Sequence, residues 1–443
     1  MLPSLTYGSG VARTGRTLQA LDRRGPATRP VSAGVGPPAS AGVGAVLDDA
    51  ATLRGGLLSS TDVGSANRAR LLQALVDDGP TSRADLARRI NVPRATISTI
   101  VTGLLEAGVL QEDPPQPPLD GIGKPPRPLW FAPDALLCGA ISVSRGSVDT
   151  AVINARGEIL ARGRSQISAD GATGALDDEI VAAASSVLRA FRGRLTGIGL
   201  TVPALCHTDS MQVLACTPIP SLVGTRLPPL LSEAFGVPCV LEQDVRAFAV
   251  GEKWFGLGRG LPDFAALQFG VGVGAGIVLT GHLMSGRGGH SVQLGHTCVD
   301  PDGIACSCGL RGCWETLAGH RWLRNEAVRR GVPGGRDTTP KRLAGRKAAG
   351  DEAAAGLLAA YGDNLAIGMA NLVQLLSLQL FIIHGDVVHA GEEFRAELQS
   401  KVVARCLPAL AAGVRVEYSA LDQDAGLLGA AATVLTRRLG VAP

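Results

Sequence analysis

A short cysteine-rich stretch constrains the fold of this chain more than any other part of its sequence. Residues 295–315 read GHTCVDPDGIACSCGLRGCWE, with three cysteines crowded into eight residues. Three thiolates and one further protein ligand suit tetrahedral Zn²⁺, and a site closed by four protein ligands is structural rather than catalytic. His296 and Cys298 are the two candidates for the fourth ligand. The predicted thiol ligands are Cys306, Cys308 and Cys313.

The rest of the composition argues against a secreted or membrane-inserted protein. Nine cysteines in 443 residues are too few for a disulfide-built scaffold. The N-terminus lacks a continuous apolar segment before a cleavage site, and no apolar run approaches the roughly 20 residues that span a bilayer. We therefore expect a cytoplasmic protein, in which disulfides or idle thiols are the less favoured interpretation of the cysteine cluster. The scattered cysteines, expected to be buried and inert, are Cys138, Cys206, Cys216, Cys239 and Cys406.

Length and charge limit the organisation of the chain. With 443 residues, of which 46% are hydrophobic, it can build at least two cores. A net charge of +3 is too small for whole-surface attraction to nucleic acid, so any such partner must meet a local basic cluster. Residues 1–64 are rich in Gly, Ala, Pro, Ser and Arg without periodicity, and we expect a disordered low-complexity tail. Whether this tail belongs to the native protein stays open.

Residues 65–132 predict a winged helix-turn-helix domain. Three runs of apolar residues at helical spacing are separated by Gly79–Pro80 and by the turn at 91–93. Thr81 or Ser82 is the expected N-cap of the second helix. Two short strands joined by a proline-rich loop follow within 108–131 and form the expected wing. The alternative interpretation is a small helical bundle used for protein contacts.

Polar and basic side chains of this domain are the predicted contacts to duplex DNA. Hydroxyl groups and an arginine near the N-terminus of the third helix can reach base edges and phosphates in the major groove. Arginines of the second helix, with Arg88 and Arg89 among them, and basic residues of the wing can bind the DNA backbone. The predicted contacts are Arg83, Arg94, Thr96, Ser98, Thr99, Lys124 and Arg127.

Beyond residue 136, strands and helices alternate in two similar series. The first series contains CGAISVS, SVDTAVINA and GEILARGRSQI, three segments of strand propensity separated by glycine turns and followed by a helical run over 176–192. The second contains FAALQFG and GAGIVLTG, joined by a glycine-rich turn. This repeated layout predicts two α/β lobes around a cleft.

From about residue 65 onward the chain resembles the ROK family, which groups sugar-responsive repressors and sugar kinases. The most specific match is Gly-His, followed about ten residues later by Cys-x-Cys-Gly-x-x-Gly-Cys-x-Glu, at 295–315; the stretches 269–289 and 382–391 also look like family glycine motifs. The resemblance implies a winged helix-turn-helix followed by an α/β, actin-like and ribonuclease-H-like, two-lobed sugar-kinase fold with a zinc loop. It also favours His296 over Cys298 as the fourth ligand of one structural Zn²⁺ per chain. The domains expected are 65–132 for the winged helix-turn-helix, 133–244 with 425–443 for lobe 1, and 245–424 for lobe 2.

The nucleotide motif departs from the family pattern. Family kinases carry an Asp-x-Gly-x-Thr phosphate motif at the first strand turn, where this chain has Ser142, Ser144 and Gly146 in the stretch SVSRGSVDT. Loss of the carboxylate removes a group that would organise Mg²⁺ near the phosphates. The stretch GVGVGAG is weak evidence for a phosphate site, because glycine repeats also form tight hairpins. We therefore expect no catalytic residues and no enzyme activity.

Ligand contacts are implied by the resemblance. Asp244 stands where family kinases have their catalytic base, and in a repressor it can accept hydrogen bonds from sugar hydroxyls; a helix cap is an equally compatible role. Gln293 replaces a family glutamate, and TPIPSLVGTRL (217–227) lacks the Asn and Trp of the family's sugar loop. The residues expected to contact a sugar or sugar derivative are Asp244, Gln293, His296 and Glu315.

These features predict a sugar-responsive DNA-binding transcriptional regulator, with repression as the expected mode. A palindromic operator requires at least two DNA-binding heads, so we expect a homodimer or homotetramer. The alternative is a working ROK sugar kinase, phosphorylating a hexose with ATP, that carries an appended DNA-binding module. A third hypothesis is a constitutive repressor whose pocket has decayed.

Overall fold

The computed structural model describes residues 60–115, 126–168, 173–289 and 292–442. The predicted tail up to residue 59 and Lys124 of the predicted wing lie outside these ranges. The first helix begins at Ser60, so residues 60–64, assigned to the tail from composition, are helical. No proline interrupts this stretch, and a helix fixed by packing further along extends backwards one hydrogen bond at a time.

The N-terminal part is a three-helix unit with two short strands, called the head here (residues 60–131). Its elements are α1 Ser60–Asp78, α2 Arg83–Ile90, α3 Arg94–Glu106, β1 Leu110–Glu112 and β2 Leu129–Phe131. Ser82 is the N-cap of α2, accepting a hydrogen bond from the backbone N–H of Asp85. Asn91 ends α2 in the left-handed conformation at φ 51°. Strands β1 and β2 pair antiparallel, so three helices and a two-stranded ladder occupy the segment for which the sequence predicts a winged helix-turn-helix.

The remaining elements follow in alternation. Those of the first half are β3 Leu137–Ser144, β4 Ser147–Ile153, β5 Ile159–Gln166, α4 Thr173–Leu188, β6 Leu195–Val202, β7 Leu205–His207, β8 Gln212–Ala215, α5 Leu227–Phe235, β9 Cys239–Gln243 and α6 Asp244–Phe255. Those of the second half are β10 Phe264–Phe269, β11 Val273–Leu279, β12 His282–Leu283, α7 Glu315–Ala318, α8 His320–Arg329, α9 Pro340–Ala348, α10 Glu352–Leu376, β13 Leu380–His384, α11 Glu392–Ala404, α12 Pro408–Ala411, β14 Arg415–Tyr418 and α13 Ala425–Leu439.

Two five-stranded sheets share one topology. The first has the order β5-β4-β3-β6-β9 and the second β12-β11-β10-β13-β14. In each, the first three strands of the chain pair antiparallel, and the last two join in parallel on the other side. The repeated strand order confirms the two α/β lobes predicted from the repeated sequence layout. Alternate side chains of the first sheet enter separate cores on its two faces.

Two central helices, α6 and α13, cross at a pair of glycines. A Cβ at Gly251 would lie 3.1 Å from the backbone N of Gly429, and a Cβ at Gly429 would lie 2.4 Å from the carbonyl oxygen of Ala247. The backbones therefore touch without intervening side chains. One apolar core runs from the head through Trp254 of α6 to α13, so the head and the two central helices share buried surface.

None of the helices within the described ranges combines the length and apolar character needed to cross a membrane.

Replacing Gly429 with alanine tests the close helix crossing. The new methyl group would meet the Ala247 carbonyl, so we expect Gly429→Ala to lower the free energy of unfolding by about 1–3 kcal/mol. Gly345, a helical glycine of α9 with open space around its would-be Cβ, is the matched control. Gly345→Ala should be neutral or stabilising by about 0.5–1 kcal/mol. Denaturant unfolding of the full chain measures both, and equal effects would contradict the packing described.

Candidate ligand, metal and nucleic-acid sites

The predicted metal ligands converge. The ligand atoms of His296, Cys306, Cys308 and Cys313 all lie within 4.8 Å of one another. The Sγ of Cys306 lies 3.6 Å from Nδ1 of His296, and the Sγ atoms of Cys308 and Cys313 are 3.7 Å apart. Tetrahedral zinc with Zn–S bonds of about 2.3 Å and Zn–N bonds of about 2.0 Å has S–S edges of about 3.8 Å and S–N edges of about 3.6 Å. The four side chains can therefore hold a metal ion of tetrahedral preference.

Backbone contacts shape the cysteine loop, residues 295–315. Cys298 and Cys313 form one isolated antiparallel bridge, and Ala305 and Arg311 form another. Gly312 has φ 64°, and a Cβ there would lie 1.6 Å from the carbonyl oxygen of Asp300, so only glycine fits. Cys298 is exposed and stands outside the group of four, so the structure brings His296 rather than Cys298 to the three thiols.

His296 is positioned from behind by its neighbour. A Cβ at Gly295 would lie 2.2 Å from the carbonyl oxygen of Val273, so the glycine lets this segment pack directly on β11. Since Nδ1 of His296 is directed towards the sulfur atoms, its Nε2 is left for another partner.

Asp244 is the first residue of α6, directly after Gln243, which is the N-cap by position. Its Oδ1 accepts a hydrogen bond of 2.7 Å from the backbone N–H of Val245. Burial raises the pKa of Asp244 to about 7, although the backbone N–H groups of Val245 and Asp244 itself act to lower it. Near neutral pH the side chain can therefore either donate or accept a hydrogen bond. The predicted helix cap is not formed by Asp244, because Gln243 occupies the N-cap position and the Asp244 carboxyl accepts from the adjacent N–H. Its contact with a ligand stays a prediction.

Gln293 and Glu315 are connected to Asp244 and His296 by hydrogen bonds and backbone contacts of intervening residues. The Nε2 of Gln293 donates to Oε1 of Gln243 at 3.4 Å, beside Asp244. The Oε2 of Glu315 accepts a 3.0 Å hydrogen bond from the backbone N–H of Val273, whose carbonyl oxygen touches Gly295. β11 thus links the positions of Glu315 and His296, while β9 links Gln293 to Asp244. Gln293, His296, Asp244 and Glu315 are all half-buried.

Sequence reasoning missed a buried ion pair next to this region. The Nε of Arg246 lies 2.8 Å from Oε1 of Glu242, and the two side chains are 2% and 7% exposed. Arg246 also donates to the carbonyl oxygen of Met284 and to Oγ of Ser285, so it connects Glu242 at the end of β9 with the segment that follows β12. Both charged residues line a cavity of about 420 Å³. The only available signal was an acid and an arginine four residues apart, a spacing that is commonplace on exposed helices.

The third helix of the head exposes its predicted DNA-binding face. Arg94, Ser98 and Thr99 are exposed and Thr96 is half-buried, whereas the opposite face, with Ile97, is buried. The hydroxyl of Thr99 donates to the carbonyl oxygen of Ala95 at 3.1 Å, leaving its oxygen as an acceptor. The polar face is therefore accessible along the first turns of α3.

Two predicted backbone contacts converge instead on one carboxylate. The Nη2 of Arg83 lies 2.8 Å from Oε1 of Glu112, and the Nη1 of Arg127 lies 3.8 Å from Oε2 of the same residue. Arg88 and Arg89 pair with Asp85 and Asp78. Within the described part of the chain, Arg94 is the one predicted DNA-contacting arginine without a paired acid. The Arg83–Glu112 pair could not be predicted from sequence because its two residues lie far apart along the chain.

Comparisons with known proteins agree with this architecture. The model of the ROK family matches residues 138–437, and that of the CENP-B N-terminal DNA-binding domain matches residues 73–103. A glucokinase of Thermotoga maritima is 32% identical over 55% of this chain and 80% of its own length. A xylose repressor of Caldicellulosiruptor bescii is 26% identical over 84% of this chain and 96% of its own length. A crystal structure described as a ROK family transcriptional regulator, homologous to Escherichia coli Mlc, superposes with a TM-score of 0.72 at 24% identity, over 86% of this chain and 98% of that one.

The raised pKa of Asp244 predicts a pH-dependent stability difference. A carboxyl group with a pKa raised to about 7 in the folded state favours folding at low pH, and that contribution is lost as pH rises through 7. The side chain of the Asp244→Asn variant does not titrate. The difference in melting temperature between this variant and the unmodified protein should therefore shift in favour of the variant, by on the order of 5 °C, when the pH is raised from 5 to 8. Thermal unfolding without added ligand measures this gain. Asp209→Asn, at an exposed carboxylate, is the control, and an equal gain in both variants would contradict the assignment.

Proposed function

We propose that this chain, which belongs to the ROK family, is a sugar-responsive transcriptional repressor that binds duplex DNA. The observation that carries the proposal is a winged helix-turn-helix with an accessible α3, packed in one core with a two-lobed sugar-kinase-like body. The similarity to the xylose repressor extends over head and body together, whereas the similarity to the glucokinase covers little more than half of the chain.

The ligand of the body is a neutral sugar or sugar derivative in this proposal. A carboxyl, an amide, an imidazole nitrogen and a second carboxylate offer both donors and acceptors, as recognition of hydroxyl groups requires. These groups belong to Asp244, Gln293, His296 and Glu315. The name of the related xylose repressor makes a pentose such as xylose the first ligand to test.

The metal of the cysteine loop is one structural Zn²⁺ per chain. The donor set of three thiols and one imidazole, and its observed edges of 3.6 and 3.7 Å, support this choice. Bound zinc would fix the orientation of the His296 ring, leaving Nε2 for the sugar.

Features of the glycine turns support loss of phosphate transfer. The N–H of Val273 already serves the Glu315 carboxylate, and the N–H of Gly270 donates to the carbonyl oxygen of Gly272. The only side chain of the turn at 270–272 belongs to Val271, which is 78% exposed and has no hydroxyl. At the other turn, Ser142 and Ser144 supply no carboxylate for Mg²⁺.

The second candidate function is a sugar kinase with a DNA-binding module, and the similarity to a glucokinase favours it. The carboxyl group of Asp244, with a pKa of about 7, is suited to accept a proton from a sugar hydroxyl. Sugar-dependent ATP turnover by the full chain, abolished by Asp244→Asn, would replace the repressor proposal by this one.

We further propose a cytoplasmic homodimer or homotetramer, since a palindromic operator presents two half-sites. Lobe 1 would comprise residues 133–244 and 425–443, and lobe 2 residues 245–424. Packing of α13 on the strands of the first sheet supports this division.

DNA binding is tested at Arg94. Full-length protein should select specific duplexes from a random library, and Arg94→Ala should weaken binding to them about tenfold, since a lost base or phosphate contact costs about 1–3 kcal/mol. Fluorescence anisotropy across a salt series measures this. Arg189→Ala, an exposed arginine of the first lobe, is the control. Absence of binding at low salt, or equal loss in both variants, would contradict the proposal.

Metal content is tested with paired cysteine variants. Elemental analysis of gently purified protein should give one zinc per chain. Cys308→Ser should lose the zinc and lower the melting temperature, because three ligands hold the ion less tightly. Cys298→Ser, at the exposed cysteine outside the cluster, should keep both. Protein free of stoichiometric metal, or metal loss in Cys298→Ser, would refute the site.

A further inference from the structure

We propose that Arg259 is a positioning residue that couples the Asp244 end of helix α6 to the orientation of the DNA-binding head. The inference deepens the proposed function, on which it rests, by naming the route from the ligand region to the head. No motif of the sequence marked Arg259.

Arg259 holds two parts of the head at once. Its Nε donates a 2.8 Å hydrogen bond to the carbonyl oxygen of Val76, in the last turn of α1. Its guanidinium lies 4.9 Å from the ring centroid of Trp130, in strand β2 of the wing. A planar cation can donate sideways and stack on an aromatic face simultaneously, which an ammonium group cannot do as well. A single side chain of the body therefore contacts both the first helix and the wing.

Helix α6 joins this contact to the ligand region. It begins at Asp244 and has 12 residues, a length of about 18 Å. Nine of its residues are buried. At its crossing with α13, a Cβ at Gly251 would lie nearest to the backbone of Gly429, at 3.1 Å. Because α6 is closely packed on several sides, we expect it to move as one rigid element.

The segment after α6 is tied firmly to the helix end. The carboxylate of Glu252, fully buried, accepts a 2.8 Å hydrogen bond from the N–H of Leu257. A Cβ at Gly256 would meet Glu252, and one at Gly258 would lie 2.4 Å from the Phe264 ring. Arg259 follows at once, so a displacement of α6 reaches its guanidinium without passing through a loose linker.

The junction with the head is closely packed. Gly260 has φ 68°, and a Cβ there would lie 2.9 Å from the carbonyl oxygen of Asp77. The rings of Trp254 and Phe131 are 6.0 Å apart across the same boundary. Packed surfaces of this kind shift between discrete arrangements instead of deforming gradually. The contacts leave the exposed face of α3 free, so the head can be turned without blocking its DNA surface.

A contact of the head that does not involve α6 supplies the control. Arg156, in the turn between β4 and β5, donates a 2.7 Å hydrogen bond from Nε to the carbonyl oxygen of Phe131. Its Nη2 lies 3.6 Å from Asp113. Arg156→Ala thus loosens the same wing strand as Arg259→Ala but leaves the connection to α6 intact.

The test is a double-mutant cycle in the full-length protein, with Asp244→Asn as the perturbation at the far end of α6. Hydrogen exchange of amides in residues 65–112 and the Kd for selected DNA are measured in three backgrounds: unmodified, Arg259→Ala and Arg156→Ala. We expect Asp244→Asn to change head exchange and Kd at least threefold in the unmodified and Arg156→Ala backgrounds. In Arg259→Ala the change should fall below half of that. Arg259→Lys should be intermediate, because it keeps the charge and loses the planar stack.

Two outcomes overturn the proposal. One is an effect of Asp244→Asn that is the same in the unmodified and Arg259→Ala proteins, including no effect in either. The other is equal loss of the effect in Arg156→Ala and Arg259→Ala, which would mean that any head contact suffices. Near-ultraviolet circular dichroism checks folding, and Arg259→Gln replaces the alanine variant if that variant unfolds. Failure of DNA binding would instead remove the proposed function, while the exchange measurements would still report the coupling.

Discussion

The contact on which the structure depends is the glycine crossing of α6 and α13. At this point the backbone of Gly429 rests against Ala247, and no side chain separates the helices. Because α13 also covers the first sheet and α6 covers β10 and β11 of the second, the crossing is the joint between two similar halves. Gly274 and Gly276 of β11 repeat the device, since a Cβ at either would strike α6. Glycines thus allow the two lobes to pack closely. The positions of the polar residues at the ends of these helices depend on that close packing.

The candidate ligand region lies at the end of this joint and is held by backbone contacts more than by side-chain bonds. The N–H of Val273 donates a hydrogen bond to the Glu315 carboxylate, and the carbonyl oxygen of Val273 packs against Gly295. On the other side of His296, the Sγ of Cys306 lies 3.6 Å from its Nδ1. Such an arrangement fixes the polar groups before any ligand arrives, so binding would spend little free energy on ordering them. The loop that carries these cysteines has little apolar surface to bury, so a metal ion bound by the cluster would stabilise it.

Much of this architecture could be predicted from sequence because its signals are local. Turns at 79–80 and 91–93 separate the head helices, and the cysteine spacing alone brings three thiols together. The start of α1 could not be predicted, since composition near Ser60 resembles the tail that precedes it. Charged groups buried by tertiary contacts were equally hidden. Glu242 and Arg246 are four residues apart, but their burial depends on tertiary packing, and Glu252 lies 3.2 Å from His384, which is far along the chain. A single sequence displays neither. The long-range partners of Arg259 belong to the same class.

Glu112 gives the head a property that its arginine content does not suggest. This carboxylate lies between Arg83 and Arg127 and forms ion pairs with both guanidinium groups in the absence of nucleic acid. A phosphate must therefore compete with an internal anion at these positions, and its gain is the difference between two ion pairs rather than the whole of one. The sequence-independent attraction of these arginines to DNA phosphates is therefore weakened. The polar side chains in the first turns of α3 do not incur this cost when they contact DNA. Such a head would dissociate quickly from non-specific DNA and remain bound longer at sites whose base sequence it recognises.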